Sequence, residues 1–166
     1  MYWLPTLNSV IVNGPVPPSC SFRYDWAKSL PAYGRWLQEM VRSLELTDHV
    51  IITDHVTHAE MVTYFRTADL YVSMSEHEGF GKPLIESMLL GLPVLAYAAT
   101  SVPGTLGGAG VLFHEKDFEV LAEMVDLLVK DSALRQRIIA RQQERIQAFL
   151  TPQVKELWQQ YMARLA

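Results

Sequence analysis

Short runs of apolar residues alternate along this chain with longer stretches in which apolar residues recur every three or four positions. The runs are rich in Val, Ile and Leu, and short runs of this composition are typical of buried strands. They lie at residues 9–12, 50–53, 70–74, 94–97 and 111–113. Residues 15–29 show no period and contain three prolines, so we expect an irregular segment there.

The stretches between the runs have helical spacing and recognisable ends. Thr57 and Glu60 have the spacing of a capping box, which predicts a helix start. After residues 70–74, the pattern predicts a helix with Pro83 at its first position and Gly91 just past its end. Apolar residues repeat with helical spacing from Pro31, and the other predicted helix starts are Asp117, Ser132 and Thr151-Pro152.

Strands that alternate with amphipathic helices predict an α/β fold, a Rossmann-like parallel sheet with helices on both faces. The 166 residues show neither repeats nor low-complexity segments. We therefore expect a single domain over residues 1–166, with C-terminal helices in residues 132–166.

Composition narrows the class of protein. Hydrophobic residues make up 49% of the chain and charged residues 19%, which fits a folded domain with a sizeable core. The net charge of −4 argues against a nucleic-acid partner. Cys20 is the single cysteine, so an internal disulfide is excluded. With no apolar run of about 18 residues and no basic N-terminal region, we expect a cytoplasmic location.

The residues best suited to binding a ligand lie in and just after a glycine turn, residues 75–81, between a predicted strand and a predicted helix. Glu78 lies in this turn just before its two glycines, and Glu86 lies about one turn into the predicted helix that follows. In parallel sheets, ligands bind beyond the carboxyl ends of the strands. A helix N-terminus offers free N–H groups to a phosphate, and Gly79 and Gly81 allow close approach of the backbone.

The N–H groups that could bind phosphate lie between two carboxylates that could accept hydrogen bonds from hydroxyl groups. This combination describes a site for a nucleoside diphosphate that is attached to a sugar. Because Pro83 has no N–H, the expected main-chain donors are Gly81, Lys82, Leu84 and Ile85. The Lys82 side chain would add a cation at the same point.

These residues resemble the C-terminal, donor-binding half of GT4-type retaining glycosyltransferases with the two-domain GT-B fold. The signature of that family is E-x7-E, found here from Glu78 to Glu86. The flanks also match, at Ala68-Asp69, residues 91–94 and residues 108–110. Weaker similarity extends from about residue 9 to about residue 129.

The resemblance implies a nucleotide sugar as donor substrate and assigns roles to individual residues. Glu86 would bind the ribose, and Glu78 a hydroxyl of the donor sugar at the catalytic position, through electrostatics rather than a covalent bond. Backbone at Gly79, Phe80 and Gly81 would face the sugar. Lys82, Pro83 and Leu84 would face the diphosphate, and the backbone of His55 and Val56 would bracket the base. No metal or other cofactor is expected.

Two departures from the family pattern qualify this interpretation. Gly104 follows Val102-Pro103 where the family usually has a Glu. The family's Arg and Lys ligands of the diphosphate, and its whole acceptor-binding domain, have no counterpart here. We therefore expect a domain that is truncated at its N-terminal side and is a fragment or a partner subunit, inactive without the missing half.

Other interpretations remain open from the sequence. A non-catalytic interaction module or companion subunit would keep the same fold without turnover. A receiver-like or flavodoxin-like domain fits less well, because the first strand ends in neither an acidic cluster nor a phosphate loop. Asp54, His55, His58 and Glu60 form a charged cluster whose spacing matches no standard zinc motif.

Two further patterns have alternative interpretations. His77-Glu78 lacks the second histidine of a zinc-protease motif, so His77 is expected to support the turn. The predicted helix near residues 132–146 is basic, which favours a solvated face over a peripheral membrane contact in the full protein. Its arginines are Arg135, Arg137, Arg141 and Arg145.

Overall fold

Six strands form one sheet in the order β3-β2-β1-β4-β5-β6, the order found in dinucleotide-binding folds. The computed structural model describes residues 9–12, 20–23, 31–53, 57–152, 154 and 156. The strands are β1 Ser9–Val12, β2 Cys20–Arg23, β3 Val50–Thr53, β4 Leu70–Ser73, β5 Val94–Tyr97 and β6 Val111–Phe113. The helices are α1 Pro31–Ser43, α2 His58–Thr67, α3 Lys82–Leu90, α4 Val102–Leu106, α5 Phe118–Lys130 and α6 Ser132–Ile146, and a 3-10 helix, Gln147–Phe149, follows α6.

The predicted α/β class is confirmed, and the strands that form the carboxyl edge are parallel. Strand β4 pairs in parallel with β5, and β5 with β6. Strand β1 departs from the prediction because it runs antiparallel to both β2 and β4. An apolar run specifies a buried strand but not its direction, which depends on the strands that pair with it.

Two elements were not anticipated from the sequence. Strand β2 lies inside residues 15–29, so the prediction of an irregular segment is wrong at Cys20–Arg23. Its four residues contain no apolar run, and pairing with β1 and β3 defines the strand. Helix α4 has only five residues, too few to show a helical period.

Side chains that alternate along β4 and β5 build a core on each face of the sheet. Tyr71, Val94 and Ala96 belong to one apolar cluster, which includes residues of α2 and α3. Leu70, Val72 and Leu95 belong to the other, which includes residues of α5. The prediction of helices on both faces is therefore confirmed.

Most predicted helix ends are confirmed, with two shifted by a residue. Helix α3 begins at Lys82, so Pro83 is its second residue rather than its first. Thr57 and Glu60 form the complete capping box, and Gly91 ends α3 in a left-handed conformation. Asp117 caps α5 by accepting from the N–H groups of Glu119 and Val120. At α6 the N-cap is Asp131 rather than Ser132, because the Asp131 carboxylate accepts from the Leu134 N–H at 2.8 Å.

Thr151 and Pro152 are helical, where the sequence predicts that the last helix opens. Among the described residues, no helix combines the length and the apolar character needed to span a bilayer.

Candidate donor-binding site

The glycine turn (residues 75–81) follows β4 at the edge where β4, β5 and β6 all end. Because β4 and β5 are parallel neighbours, the loop after β5 lies beside the turn. That loop leads into α4 and contains Thr100 and Ser101. The glycine turn leads into α3, whose first residue is Lys82. The turn and the helix start thus occupy the edge at which parallel sheets bind ligands.

Hydroxyl groups from the neighbouring loop hold the main chain of Glu78. The Glu78 N–H donates to Thr100 Oγ1 at 3.0 Å, and the same hydroxyl donates to the Glu78 carbonyl at 2.8 Å. Ser101 Oγ donates to that carbonyl as well, at 2.8 Å. Two residues later, Thr105 of α4 donates to the carbonyl of Phe80 at 2.9 Å. The turn is therefore fastened to the loop after β5 and to α4.

Gly81 gives the turn its shape. Its φ of +75° is left-handed, and a Cβ there would lie 2.7 Å from Cδ1 of the buried Leu84. Its N–H donates to Glu78 Oε1 at 3.2 Å, which draws the carboxylate back over the turn. Gly79 differs, because a Cβ at that position would meet nothing within 4 Å. Open space at Gly79 leaves room for a ligand to approach the backbone.

Only one of the four expected main-chain donors is available in this structure. Leu84 and Ile85 donate to the Gly81 carbonyl, at 2.9 and 3.2 Å, and the Gly81 N–H is taken by Glu78. The Lys82 N–H has no hydrogen-bond partner within the part of the chain that the structure describes. Donation to a phosphate would therefore come from Lys82 or need the first turn of α3 to adjust.

Lys82 and Glu86 form an ion pair one helical turn apart on α3. Their charged atoms are 3.6 Å apart, and the Lys82 side chain is 80% exposed while that of Glu86 is 16% exposed. An exposed lysine in such a pair is held weakly, since pairs of this kind contribute well under about 1 kcal/mol. The Lys82 ammonium is free to move toward an anion, whereas Glu86 is partly enclosed.

Phe80 projects from the turn and contacts the 3-10 helix that follows α6. Its side chain is 59% exposed, and its ring and that of Phe149 are arranged edge to face with their centroids 5.9 Å apart. Arg145 lies over the Phe149 ring and donates to the carbonyls of Gly104 and Thr105 at 2.7 and 3.0 Å. The last turn of α6 therefore supports α4, which supports the turn.

These contacts correct the expectation of a solvated basic face on α6. Arg145 and Arg135 both donate to main-chain carbonyls, whereas Arg137 and Arg141 are exposed as expected. The supporting residues Thr100, Ser101 and Arg145 lie 22 to 41 positions from the carbonyl or N–H groups they contact. No local pattern in the sequence identifies them.

The proposed base-binding residues are not in the described part of the chain. His55 and Val56 lie outside the described residues, as does Asp54 of the charged cluster. Across the ranges that the structure describes, no group of three or more His, Cys, Asp or Glu side chains is placed to hold a metal ion.

An ion pair ties the start of the turn to the loop after β6. Lys116 Nζ lies 2.6 Å from Glu76 Oε1 and 4.8 Å from the centre of the Tyr97 ring. The hydrogen bond from Lys116, and then its charge, hold the pKa of the Glu76 carboxyl below its usual 4.5.

Glu76→Gln should lower stability near neutral pH by a small amount that disappears in acid. Because the folded-state pKa is lowered, the pair stabilises the fold above about pH 4.5 and loses its effect as the pH falls through the folded-state pKa. Urea midpoints of the two proteins, measured at neutral pH and at several values below 4.5, check this. A difference that persists unchanged in acid would contradict the assignment.

Comparison with known proteins agrees with this geometry. The family model for glycosyl transferases group 1 matches residues 31–145. The chain is 25% identical over 114 residues to the capsular polysaccharide biosynthesis glycosyltransferase CapM of Staphylococcus aureus, covering 68% of this chain and 29% of that protein. Sucrose-phosphate synthase from Thermosynechococcus elongatus superposes with a TM-score of 0.69 and 26% identity, over 87% of this chain and 38% of that one.

A further solved structure, HepE of Anabaena in complex with UDP, has a TM-score of 0.71 at 22% identity, over 81% of this chain and 37% of that one. At that identity the likeness shows the fold alone. The chain spans well under half the length of each of these three proteins. Because the family model covers residues 31–145, more than half of the chain, the chain belongs to the glycosyl transferases group 1 family.

Proposed function

We propose that this chain is the nucleotide-sugar-binding domain of a retaining glycosyltransferase of the GT4 type. The parent enzyme transfers a sugar from the nucleotide to a hydroxyl on a glycan or glycoconjugate, as in polysaccharide biosynthesis. The observation that carries the proposal is the glycine turn at the carboxyl edge, with Glu78 fastened by Thr100 and Ser101 and with Glu86 partly enclosed on α3.

Each part of the donor has a suitable partner. The Glu86 carboxylate accepts from the vicinal hydroxyls of the ribose, and that of Glu78 accepts from a hydroxyl of the transferred sugar. Backbone at Gly79, Phe80 and Gly81 faces the sugar, where a Cβ at Gly79 would find open space. Lys82, Pro83 and Leu84 border the diphosphate, and His55 and Val56 bracket the base. The solved complex of HepE with UDP supports a nucleotide in a protein of this fold.

Catalysis rests on stabilising the departing nucleoside diphosphate. Negative charge develops on the diphosphate as the bond to the sugar breaks, and the Lys82 ammonium, the Lys82 N–H and the positive end of α3 lie on one side of it. Glu78 acts through its negative charge beside the sugar and forms no covalent bond. These groups supply the stabilisation without a metal ion.

Transfer also needs an acceptor-binding half. The chain spans 29% of CapM and 38% of sucrose-phosphate synthase, so the acceptor half is supplied by a further domain or a partner subunit. By itself the chain binds the donor without turnover, in the cytoplasm.

A companion subunit without donor binding is the second candidate. Gly104 favours it, because the family's usual carboxylate is absent from α4 while the fold around it is kept intact. The two candidates differ in one respect, which is affinity for a nucleotide.

Titration with UDP, GDP and ADP, followed by thermal shift and calorimetry, tests the proposal. One nucleotide should bind, and Glu86→Ala should weaken that binding about 10- to 100-fold, because hydrogen bonds to a charged group contribute about 1.5–3 kcal/mol. Glu144→Ala, an exposed carboxylate on α6, is the matched control and should bind as the wild type does. Absence of binding by all three at millimolar concentration would favour the companion subunit.

A further inference from the structure

We propose that Thr100 and Ser101 are positioning residues for the donor sugar. Their hydroxyls fix the main chain of Glu78 and so aim its carboxylate, without touching the sugar themselves. This inference rests on the proposed function, since it concerns the same site. The hydroxyls of Thr100 and Ser101 form a clamp on Glu78, and this clamp serves recognition of the sugar part of the donor.

Both main-chain groups of Glu78 are bound by side chains of the neighbouring loop. The Thr100 hydroxyl accepts from the Glu78 N–H and donates to the Glu78 carbonyl, at 3.0 and 2.8 Å. The carbonyl accepts a second hydrogen bond from Ser101 at 2.8 Å. With its N–H and C=O held, Glu78 has a fixed Cα–Cβ direction, and only its own side-chain torsions remain free.

Thr100 holds this position against a conformational cost. Its φ of +47° is left-handed, a conformation in which a β-branched side chain is strained and a glycine is not. A glycine would therefore suit the backbone better, but it lacks the hydroxyl. Strained residues persist where the surroundings over-determine them, which is often at functional sites.

The clamp adds little to folding, because Thr100 is exposed and the groups it binds could be hydrated instead. What the hydroxyl adds is a direction for the Glu78 side chain. The carboxylate itself is held by one 3.2 Å bond from the Gly81 N–H, which is long for a charged acceptor. Its aim therefore depends on the main chain that Thr100 and Ser101 fix.

Glu86 is placed by a different element. It sits on α3 and pairs with Lys82, and no hydrogen bond in the described part of the chain links it to Thr100 or Ser101. Loosening the clamp should therefore disturb recognition of the sugar and leave recognition of the nucleoside diphosphate intact. This separation distinguishes a positioning role from general support of the site.

Thr100→Gly tests the inference, with Thr100→Ser as the variant that keeps the hydroxyl. The probes are UDP, GDP and ADP and their glucose or mannose conjugates, and the urea midpoint is measured beside the affinities. For the nucleotide that the wild type binds, Thr100→Gly should bind the sugar conjugate about 3- to 10-fold more weakly and the free diphosphate unchanged. Its urea midpoint should stay the same or rise, because glycine relieves the strain.

Thr100→Ser should restore the affinity for the conjugate. Equal affinity of Thr100→Gly and wild type for the conjugate would overturn the inference while leaving the proposed function standing. So would a parallel loss of conjugate, diphosphate and stability, which is the result of a structural defect. If the wild type binds no nucleotide and no conjugate, the proposed function fails and this inference fails with it.

Discussion

Gln142→Met is expected to lower the free energy of unfolding by about 2–4 kcal/mol, because it leaves two buried main-chain groups without partners. Gln142 is fully buried on α6. Its Oε1 accepts from the Val94 N–H at 3.2 Å, and its Nε2 donates to the Leu92 carbonyl at 2.9 Å. Methionine matches the length and volume of glutamine, so the loss reflects hydrogen bonding more than a cavity.

Gln143→Met is the matched control, since Gln143 is the next residue of α6 and is exposed. Its effect should stay within about 0.5 kcal/mol. Urea unfolding followed by circular dichroism gives both values from midpoint and slope. Equal stability of the two variants would show that the segment entering β5 does not depend on the amide of Gln142.

Gly81→Ala is expected to destabilise the chain by about 2–5 kcal/mol and to reduce donor affinity at the same time. A Cβ at φ +75° costs about 1–2 kcal/mol, and its 2.7 Å approach to Leu84 overpacks a buried side chain by about 1–3 kcal/mol. Relief requires the turn to open. Opening breaks the bond from the Gly81 N–H to Glu78 and moves the start of α3.

The same substitution two residues earlier provides the comparison. Gly79→Ala adds a methyl group where nothing lies within 4 Å, so the unfolding free energy should change by less than about 1 kcal/mol. Urea unfolding and nucleotide-sugar titration of both variants give the comparison. Similar losses of stability from the two would mean that the left-handed conformation of Gly81 does not shape the turn. A loss of sugar affinity at Gly79 without loss of stability would support close approach of the donor at that point.

The sequence predicted those parts of the fold that depend on residues close together in the chain. The capping box at Thr57 and the glycine end of α3 at Gly91 depend on residues within one helical turn. Strands β4 and β5 are apolar on both faces, as expected for strands between two layers of helices. The carboxylates Glu78 and Glu86 could be selected because a strand, a glycine turn and a helix follow one another in a fixed order.

Predictions from local patterns were wrong where the pairing of strands determines the structure. Cys20–Arg23 became a strand through its neighbours, and Ser9–Val12 took the antiparallel direction although its composition is ordinary for a parallel strand. The N-cap of α6 moved to Asp131, because either Asp131 or Ser132 could cap a helix there and the carboxylate reaches the Leu134 N–H.

By itself, the sequence determined the α/β class, the family and the turn on which the proposed site is built, because each depends on the order of residue types along a short stretch. The tertiary structure alone decided how that turn is held. Thr100, Ser101 and Thr105 meet it from 22 to 25 positions away, and Gln142 reaches Val94 across 48. Hydrogen bonds over such separations form only after parallel strands bring their ends together, so the residues that make them have no signature in the chain.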